Sequence, residues 1–360
     1  MKFLILTNHS YMLWHFRLPL LQELQKRGEV VLSMPFVGHE DDFQNAGFRC
    51  IETPVDRRGL NPLKDLKLLL FYRKLLRQEK PDMVVTYSIK PNIYGAWLCK
   101  QYGIPCCVNV QGLGTAFQGK AIAAIATFLY RQSIKKAKAV FFENKGNAEE
   151  FVRRRILPEE KPVVLNGAGV DTAYYAYKPY PPEAEGVHFL YLGRIMREKG
   201  VAEFFSAAQA LKEKYGDAVQ FDLVGFFEDD LEPRAKELQA EGIIRCLGFQ
   251  PDPRPFYEAT HCVVLPSYHE GMSNVLLEGA STGRALITTD IPGCREAVEE
   301  GVNGYLCAKM DAISLQDRME RFLQLSPEQR GEMGLAGRRL IEEKFEKKAV
   351  VAETLRHILA

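Results

Sequence analysis

Short runs rich in Val, Ile, Leu and Phe alternate along this chain with longer stretches in which apolar residues recur at helical spacing. That alternation predicts an α/β protein, and runs without polar alternates belong to parallel strands covered on both faces. In the first half, strands are expected at residues 2–7, 29–34, 49–53, 83–86, 106–110, 139–143 and 162–165, with helices at 16–27, 63–78, 93–102, 122–136 and 147–154. A second series follows at 187–192, 220–224, 244–247, 262–265, 285–288 and 304–307. The stretch between the series, 166–186, holds three prolines and four tyrosines. It separates two doubly wound, Rossmann-like domains, 1–170 and 171–340, with a terminal segment 341–360 after them. Ligands of such domains bind beyond the carboxyl ends of the strands, and the seam between two of them is the expected seat of a small-molecule site.

Composition alters this picture little, charge rather more. A chain of 360 residues that is 26% charged and 46% hydrophobic fits two domains and excludes disorder, collagen and coiled coil. Its eight cysteines lie mostly inside strand-like runs without CxxC spacing, and read as buried thiols in a reducing compartment. The opening MKFLILTN is too short for a secretory signal, and the uncharged run 121–130 too short to cross a bilayer. Net charge is only +1, yet residues 1–170 carry 25 Lys and Arg against 15 Asp and Glu, while residues 171–360 carry 22 against 31. The basic half is expected to meet something anionic, a phosphate-bearing ligand or an anionic lipid surface; no nucleic-acid-binding motif accompanies it.

The segment LPSYHEGMSNVLLEGASTG, 265–283, is the richest in chemistry. It follows a strand and opens a helix near Ser273 or Asn274 that Gly283 would end, so Glu270 stands before the helix and Glu278 inside it. Were the helix continuous, eight residues would set the two carboxylates about 12 Å apart. That exceeds the spacing of paired hydrolytic carboxylates. They read instead as holds on two distant hydroxyl-bearing parts of one long ligand, with the backbone of Met272, Ser273 and Asn274 taking an anion between them, or as one solvated and one helix-facing glutamate. GRIMREKG, 193–200, crowds Arg194, Arg197 and Lys199 at the end of another strand. An arginine fork and a lysine point charge suit a diphosphate; the alternative is a solvated basic turn. No Gly-Lys-Ser/Thr ends the run, so it is not a P-loop.

In the first half, the turn after the first strand carries His9, Ser10, His15 and Arg17, and Lys90 ends another strand as a phosphate contact or a solvated charge. His9 and His15 read as surface or capping histidines before they read as catalysts. The glycine-rich QGLGTAFQG, 111–119, sets Gln111, Gly112 and Gly114 where a backbone approaches a ligand closely, or makes an ordinary tight turn. No HxxxH, DxD or clustered carboxylate set calls for a metal, and no GxSxG supports a Ser-His-Asp nucleophile.

Together these pieces resemble the GT4-type retaining glycosyltransferases of GT-B fold, over nearly the whole chain. The resemblance is carried by Glu270 and Glu278 with seven residues between them, by Arg194 and Lys199, by Asn166-Gly167 through Val170-Asp171, and by Ile291-Pro292-Gly293 through Asn303-Gly304. YSIKPNIYG, VQGLGTAF and His15-Phe16-Arg17 are further similar to enzymes that extend undecaprenyl-diphosphate-linked sugars in capsule, O-antigen or protein-glycan assembly, N-acetylgalactosaminyltransferases among them. The resemblance implies a hexosyltransferase that needs no metal or other cofactor, with a UDP-sugar donor and a polyprenyl-diphosphate-linked acceptor. It implies that Arg194 and Lys199 bind the donor diphosphate, Glu278 the ribose and Glu270 the transferred sugar. Gly271, Met272, Ser273, Asn274 and Val275 would line the same pocket, with Gly248 and Phe249 near the base. On the acceptor side it places His9, Ser10, His15, Arg17, Lys90, Gln111, Gly112 and Gly114.

Two departures stand out: the first turn lacks the family's usual glycine pair, and Gln111 stands where relatives often carry His or Glu, which leaves the general base unassigned. A lipid acceptor puts the protein at the cytoplasmic face of a bacterial inner membrane, peripherally attached. Segment 63–77, with five basic residues among Leu, Phe and Tyr, is then an interfacial helix, or a helix docked on the sheet with its lysines in water. Residues 342–360 are expected as one amphipathic helix that, in relatives, crosses back to the first domain. A UDP-sugar epimerase and an inert scaffold of an assembly complex are the alternatives within the same fold.

Overall fold

The computed structural model describes residues 1–55, 61–114, 117 and 119–360. Each of the apolar runs becomes a strand. In the first series these are β1 (Lys2–Leu6), β2 (Glu29–Met34), β3 (Arg49–Glu52), β4 (Met83–Tyr87), β5 (Cys106–Val110), β6 (Ala139–Phe142) and β7 (Pro162–Val164). The second contributes β8 (Val187–Leu192), β9 (Val219–Val224), β10 (Arg245–Gly248), β11 (Cys262–Leu265), β12 (Ala285–Thr289) and β13 (Gly304–Cys307). All pairings between them are parallel, in the orders β3-β2-β1-β4-β5-β6-β7 and β10-β9-β8-β11-β12-β13. The order reverses between β1 and β4 in one sheet and between β8 and β11 in the other, and the crevice at such a reversal is where doubly wound sheets bind ligands.

The chain divides into two compact units, Met1–Ala168 with Ala349–Ala360, and Gly169–Lys348. In the first, Leu4, Leu6, Val84 and Val108 face one apolar layer while Phe3, Ile5, Val85 and Cys107 face the other, so the alternating residues of each strand are all buried. This is why these strands read as continuous apolar runs. The second unit has one continuous core around Phe189, Phe221, Leu265 and Leu286. Six cysteines are buried, and Cys50 and Cys246 are half-buried. Among the described residues no helix is long and apolar enough to cross a membrane.

Three helices depart from expectation. The single helix expected at 16–27 is a π-helical turn, Leu13–Arg17, followed by the α-helix Leu18–Gln25. Likewise 93–102 is a π-helical turn, Pro91–Gly95, and then the α-helix Ala96–Tyr102. The helix expected at 342–360 breaks between Pro327–Lys344 and Lys347–Leu359. At the break the Phe345 carbonyl accepts from the Val170 N–H and the Val170 carbonyl accepts from the Lys347 N–H, so these backbone groups are drawn out of the helix by Val170. Gly169 permits the approach: its φ is +67°, and a Cβ there would lie 2.7 Å from Lys347 Cα. Beyond the break, Leu355 and Ile358 enter the core of the first unit. The helix Pro62–Glu79 docks on the first sheet through Leu68, Tyr72, Leu75 and Leu76, its start capped by the Asn61 side chain, which accepts from the Leu63 and Lys64 N–H groups.

Candidate functional site

In the second unit the chemistry gathers beyond the carboxyl ends of β8 and β11, the strands at the reversal of order. After β8 the chain turns through Gly193 and Arg194 into a short 3₁₀ turn, Arg197–Lys199, that ends at Gly200. Gly200 has φ +71°, and a Cβ on it would stand 2.0 Å from the Pro266 carbonyl oxygen just past β11. Only glycine lets the two strand ends close to this distance. A backbone bond from the Tyr268 N–H to the Glu198 carbonyl, 2.8 Å, holds them there. Lys199 Nζ thereby reaches Glu270 Oε1 at 2.5 Å, and Ser267 Oγ donates to the same oxygen at 2.9 Å. Both charged side chains are largely buried, at 17% and 12% exposure. Behind Glu270 the loop after β12 presses close: a Cβ on Gly293 would meet the Gly271 carbonyl at 2.5 Å, and the Ser273 N–H donates to the Gly293 carbonyl.

Arg194 Nη1 donates to Glu228 Oε2 at 2.9 Å, and the Arg194 carbonyl accepts from Tyr191 Oη at 2.8 Å. The helix Asn274–Ser281 starts where expected, capped by Ser273, whose hydroxyl accepts from the Leu276 N–H. Met272 and Ser273 are buried and Gly271, Asn274 and Val275 half-buried. Glu270 and Glu278 therefore do not share a continuous helix, and they have separate partners. Glu278 accepts from Tyr257 Oη at 2.8 Å and from Tyr175, and burial pushes its carboxyl up to about 7. Phe249 is exposed beyond β10, its ring edge-on to that of Phe226, which is exposed beyond β9.

In the first unit, the two π-helical turns are the only ones among the described residues, and they lie in the segments that follow β1 and β4, the pair at that sheet's reversal. Interruptions of this kind concentrate at functional sites. Arg17, the last residue of the first turn, is buried, ion-paired with Glu143 at the end of β6, and 5.6 Å from the centre of the Tyr87 ring. Lys90 Nζ lies 2.8 Å from Asp65 of the helix Pro62–Glu79. Asn92, in the second turn, accepts from Thr86 Oγ1 and donates to the Asn109 carbonyl, tying β4 to β5. Ser10 is fully buried at the start of a one-turn helix, the His9 N–H donates to Thr7 Oγ1, and His15 is exposed with its Nε2 3.3 Å from that of His39. Gln111 and Gly112 are half-buried and Gly114 exposed; residues 115, 116 and 118 of the same loop lie outside the described residues.

The structure thus joins Arg194, Lys199, Glu270 and the start of the helix Asn274–Ser281 at one strand reversal, and gives Arg17 and Lys90 acidic partners that the sequence reading does not contain. Glu228, Ser267, Tyr257, Glu143 and Asp65 were all missed. Only Ser267, three residues from Glu270, carried a local signal. A cavity of about 690 Å³ lies at the opposite, amino-terminal ends of β8 and β9, lined by Glu183, Tyr215, Asp217 and Arg330, and includes none of the expected site residues.

Residues 18–167 match the family described as "Glycosyl transferase 4-like domain" and residues 186–325 that described as "Glycosyl transferases group 1". The chain is 27% identical over 344 residues, 90% of each protein, to the N,N'-diacetylbacillosaminyl-diphospho-undecaprenol alpha-1,3-N-acetylgalactosaminyltransferase of Campylobacter jejuni. It is 26% identical over 296 residues, 78% of this chain and 76% of the relative, to the UDP-Gal:alpha-D-GlcNAc-diphosphoundecaprenol alpha-1,3-galactosyltransferase of Escherichia coli. Among solved structures, Anabaena Alr3699/HepE in complex with UDP superposes with a TM-score of 0.80 at 18% identity, covering 99% of this chain and 100% of that one. Sucrose-phosphate synthase from Thermosynechococcus elongatus does so with 0.79 at 19%, covering 99% and 97%.

Proposed function

We propose, from the premise that this chain belongs to the GT4-type glycosyltransferases of GT-B fold, that it transfers a hexose or N-acetylhexosamine from a UDP-sugar to an undecaprenyl-diphosphate-linked sugar during surface polysaccharide or glycan assembly. N-acetylgalactosamine is the first donor sugar to test, because the C. jejuni relative matched over 90% of the chain is named for it. The transfer is retaining and independent of metal, the second unit binds the donor and the first the acceptor, and the protein works peripherally at the cytoplasmic face of a bacterial inner membrane.

The observation that carries this reading is the Lys199–Glu270 pair, set beside Arg194 at the end of β8 and β11. In the proposed reaction the bond from the sugar's anomeric carbon to the UDP β-phosphate oxygen breaks. A bond to an acceptor hydroxyl oxygen forms on the same face, and the hydroxyl proton passes to the departing diphosphate. The negative charge that develops on that diphosphate is met by the Arg194 fork and the Lys199 ammonium, held in place before the reaction by Glu228 and Glu270. Glu270 then orients the transferred sugar, Glu278 takes the ribose hydroxyls, and Phe249 with Phe226 offers rings to the base. Arg17, Lys90 and the loop from Gln111 to Gly114 serve the acceptor diphosphate and its first sugar.

The test is UDP release from a panel of UDP-sugars in EDTA, with and without polyprenyl-diphosphate-linked acceptors, against a Glu278→Ala control. Acceptor-dependent release from one donor, lost in the control, is expected. UDP binding without release from any donor would transfer the weight to an inert scaffold.

A further inference from the structure

A surface helix turns its apolar stripe to the core and its charges to water. The helix Lys120–Ser133 obeys only the first half of this rule. Ala123, Ala126 and Tyr130 are buried, but Ile125 and Phe128 are 60% and 58% exposed with Ile122 at 37%, and no charged residue stands between Lys120 and Arg131. The helix Pro62–Glu79 repeats the pattern in its first half, exposing Leu63, Leu66 and Leu70 at 72%, 51% and 52%. Both helices pack against Pro91–Gly95, and Leu68, Tyr72, Leu75 and Leu76 of one and Tyr130 of the other share one core with Ile93 and Ala96. The bare stripes therefore belong to one helix layer on one side of the first sheet, with Trp97, 36% exposed, on the helix that continues from Pro91–Gly95.

Exposed apolar patches of this kind mark contact surfaces, and the charge around this one selects the contact. Lys64, Lys67, Lys74 and Arg77 are exposed on the helix Pro62–Glu79. The two acids of that helix are engaged, Asp65 by Lys90 and Glu79 by Lys2 and Arg49. Apolar side chains among cations with no unpaired acid on the helix complement an anionic bilayer surface, where the helices lie flat and insert one face. At 14 residues the helix Lys120–Ser133 is about 21 Å long, a length that lies in an interface and does not cross it.

We propose that this layer docks on anionic phospholipid, with Ile122, Ile125 and Phe128 as the inserting face. The proposal deepens the transferase reading and rests on it for its purpose, since a lipid-linked acceptor is met at the bilayer; Gly114, the end of the loop assigned there to the acceptor, stands six residues before the start of this helix in sequence.

The experiment is flotation of the full chain with phosphatidylglycerol-containing and with phosphatidylcholine-only vesicles, wild type against the double variant Ile125→Ser, Phe128→Ser. Both residues are mostly solvent-exposed, so the variant should fold; its thermal midpoint and its UDP release on a short-prenyl diphosphate-linked acceptor check this. Expected is salt-sensitive flotation of the wild type with the anionic vesicles, reduced about tenfold or more in the variant, while turnover on the short acceptor changes by less than about twofold. Equal flotation of the two proteins overturns the proposal. So does a wild type that ignores both vesicles and self-associates in a manner the variant loses, which would make this face an interface between copies of the chain. A single Leu66→Ser variant tests the neighbouring stripe, and an effect in the same direction supports the layer as a unit. Vesicle binding that depends on these residues, in a protein that releases UDP from no donor, leaves the docking surface standing and removes the transferase reading.

Discussion

Glu278 is a half-buried acid whose carboxyl titrates near 7 because its surroundings disfavour the charge more than the Tyr257 and Tyr175 hydroxyls favour it. Its ordinary value is 4.5, so between those pH values the folded protein holds a proton that the unfolded chain releases. Stability must therefore fall as pH climbs from about 4.5 to about 7 and level off above. Glu278→Gln keeps a carbonyl acceptor for Tyr257 and cannot ionise. It should be more stable than wild type at pH 8 by ~1–2 kcal/mol, allowing for partial exposure, with no gain at pH 4.5. Urea midpoints at the two pH values measure this, and a decline undiminished in the variant would show that another group is responsible. The same variant should bind UDP more weakly, a function-for-stability exchange typical of a site acid. Lys199→Ala should leave the far-ultraviolet dichroism unchanged, since Glu270 keeps the Ser267 hydroxyl, while single-turnover UDP release slows about 100-fold or more. Wild-type turnover would remove the leaving-group role. At this scale the sequence named Arg194, Lys199, Glu270 and Glu278 by chemistry and position after a strand. It did not name Glu228 or Tyr257, because partners 34 and 21 residues away are set by which strands become neighbours.

Elements carry these side chains, and their placement depends on two glycines more than on any charged group. Gly200 lets the turn after β8 sit against Pro266, and Gly293 lets the loop after β12 sit against Gly271. Gly200→Ala combines a positive φ with a Cβ 2.0 Å from the Pro266 oxygen. It should cost ~2–5 kcal/mol of stability and, by pushing Lys199 away from Glu270, lose UDP affinity in whatever fraction remains folded. Isothermal titration with UDP, run beside a denaturation curve, separates the two effects; unchanged affinity would mean that the contact does not position the lysine. Strands were legible because both faces of each sheet are covered, which makes apolar runs continuous and short. The π-helical turns Leu13–Arg17 and Pro91–Gly95 were not, since an extra residue in a turn leaves the apolar spacing almost unchanged. The break after Lys344 was equally silent: FEKK contains neither glycine nor proline, and the cause is Val170, far away in the chain.

For the whole molecule, the division into units has a consequence that the strand pattern alone could not supply. The second unit is one continuous stretch, Gly169–Lys348, whereas the first is completed only by Ala349–Ala360. Leu355 and Ile358 lie in the same core as Phe3, Ile5, Phe141 and Leu165, and Lys138 Nζ donates to the Ile358 carbonyl at 3.1 Å. A chain ending at Lys348 would therefore uncover part of the first core and leave the second intact. Both tryptophans of the protein, Trp14 and Trp97, lie in the first unit, so tryptophan fluorescence follows that unit alone. In the truncated chain the fluorescence transition in urea should move to lower denaturant by an amount equivalent to ~3–5 kcal/mol, the expected cost of withdrawing two large buried side chains. On the proposed donor role of the second unit, stabilisation by UDP of the far-ultraviolet dichroism that remains after the fluorescence transition should persist. If both signals shift together, folding of the two units is coupled and the terminal helix stabilises the chain as a whole. A fluorescence transition that does not move would mean that Leu355 and Ile358 add nothing to the first core, against their burial at 8% and 0% exposure.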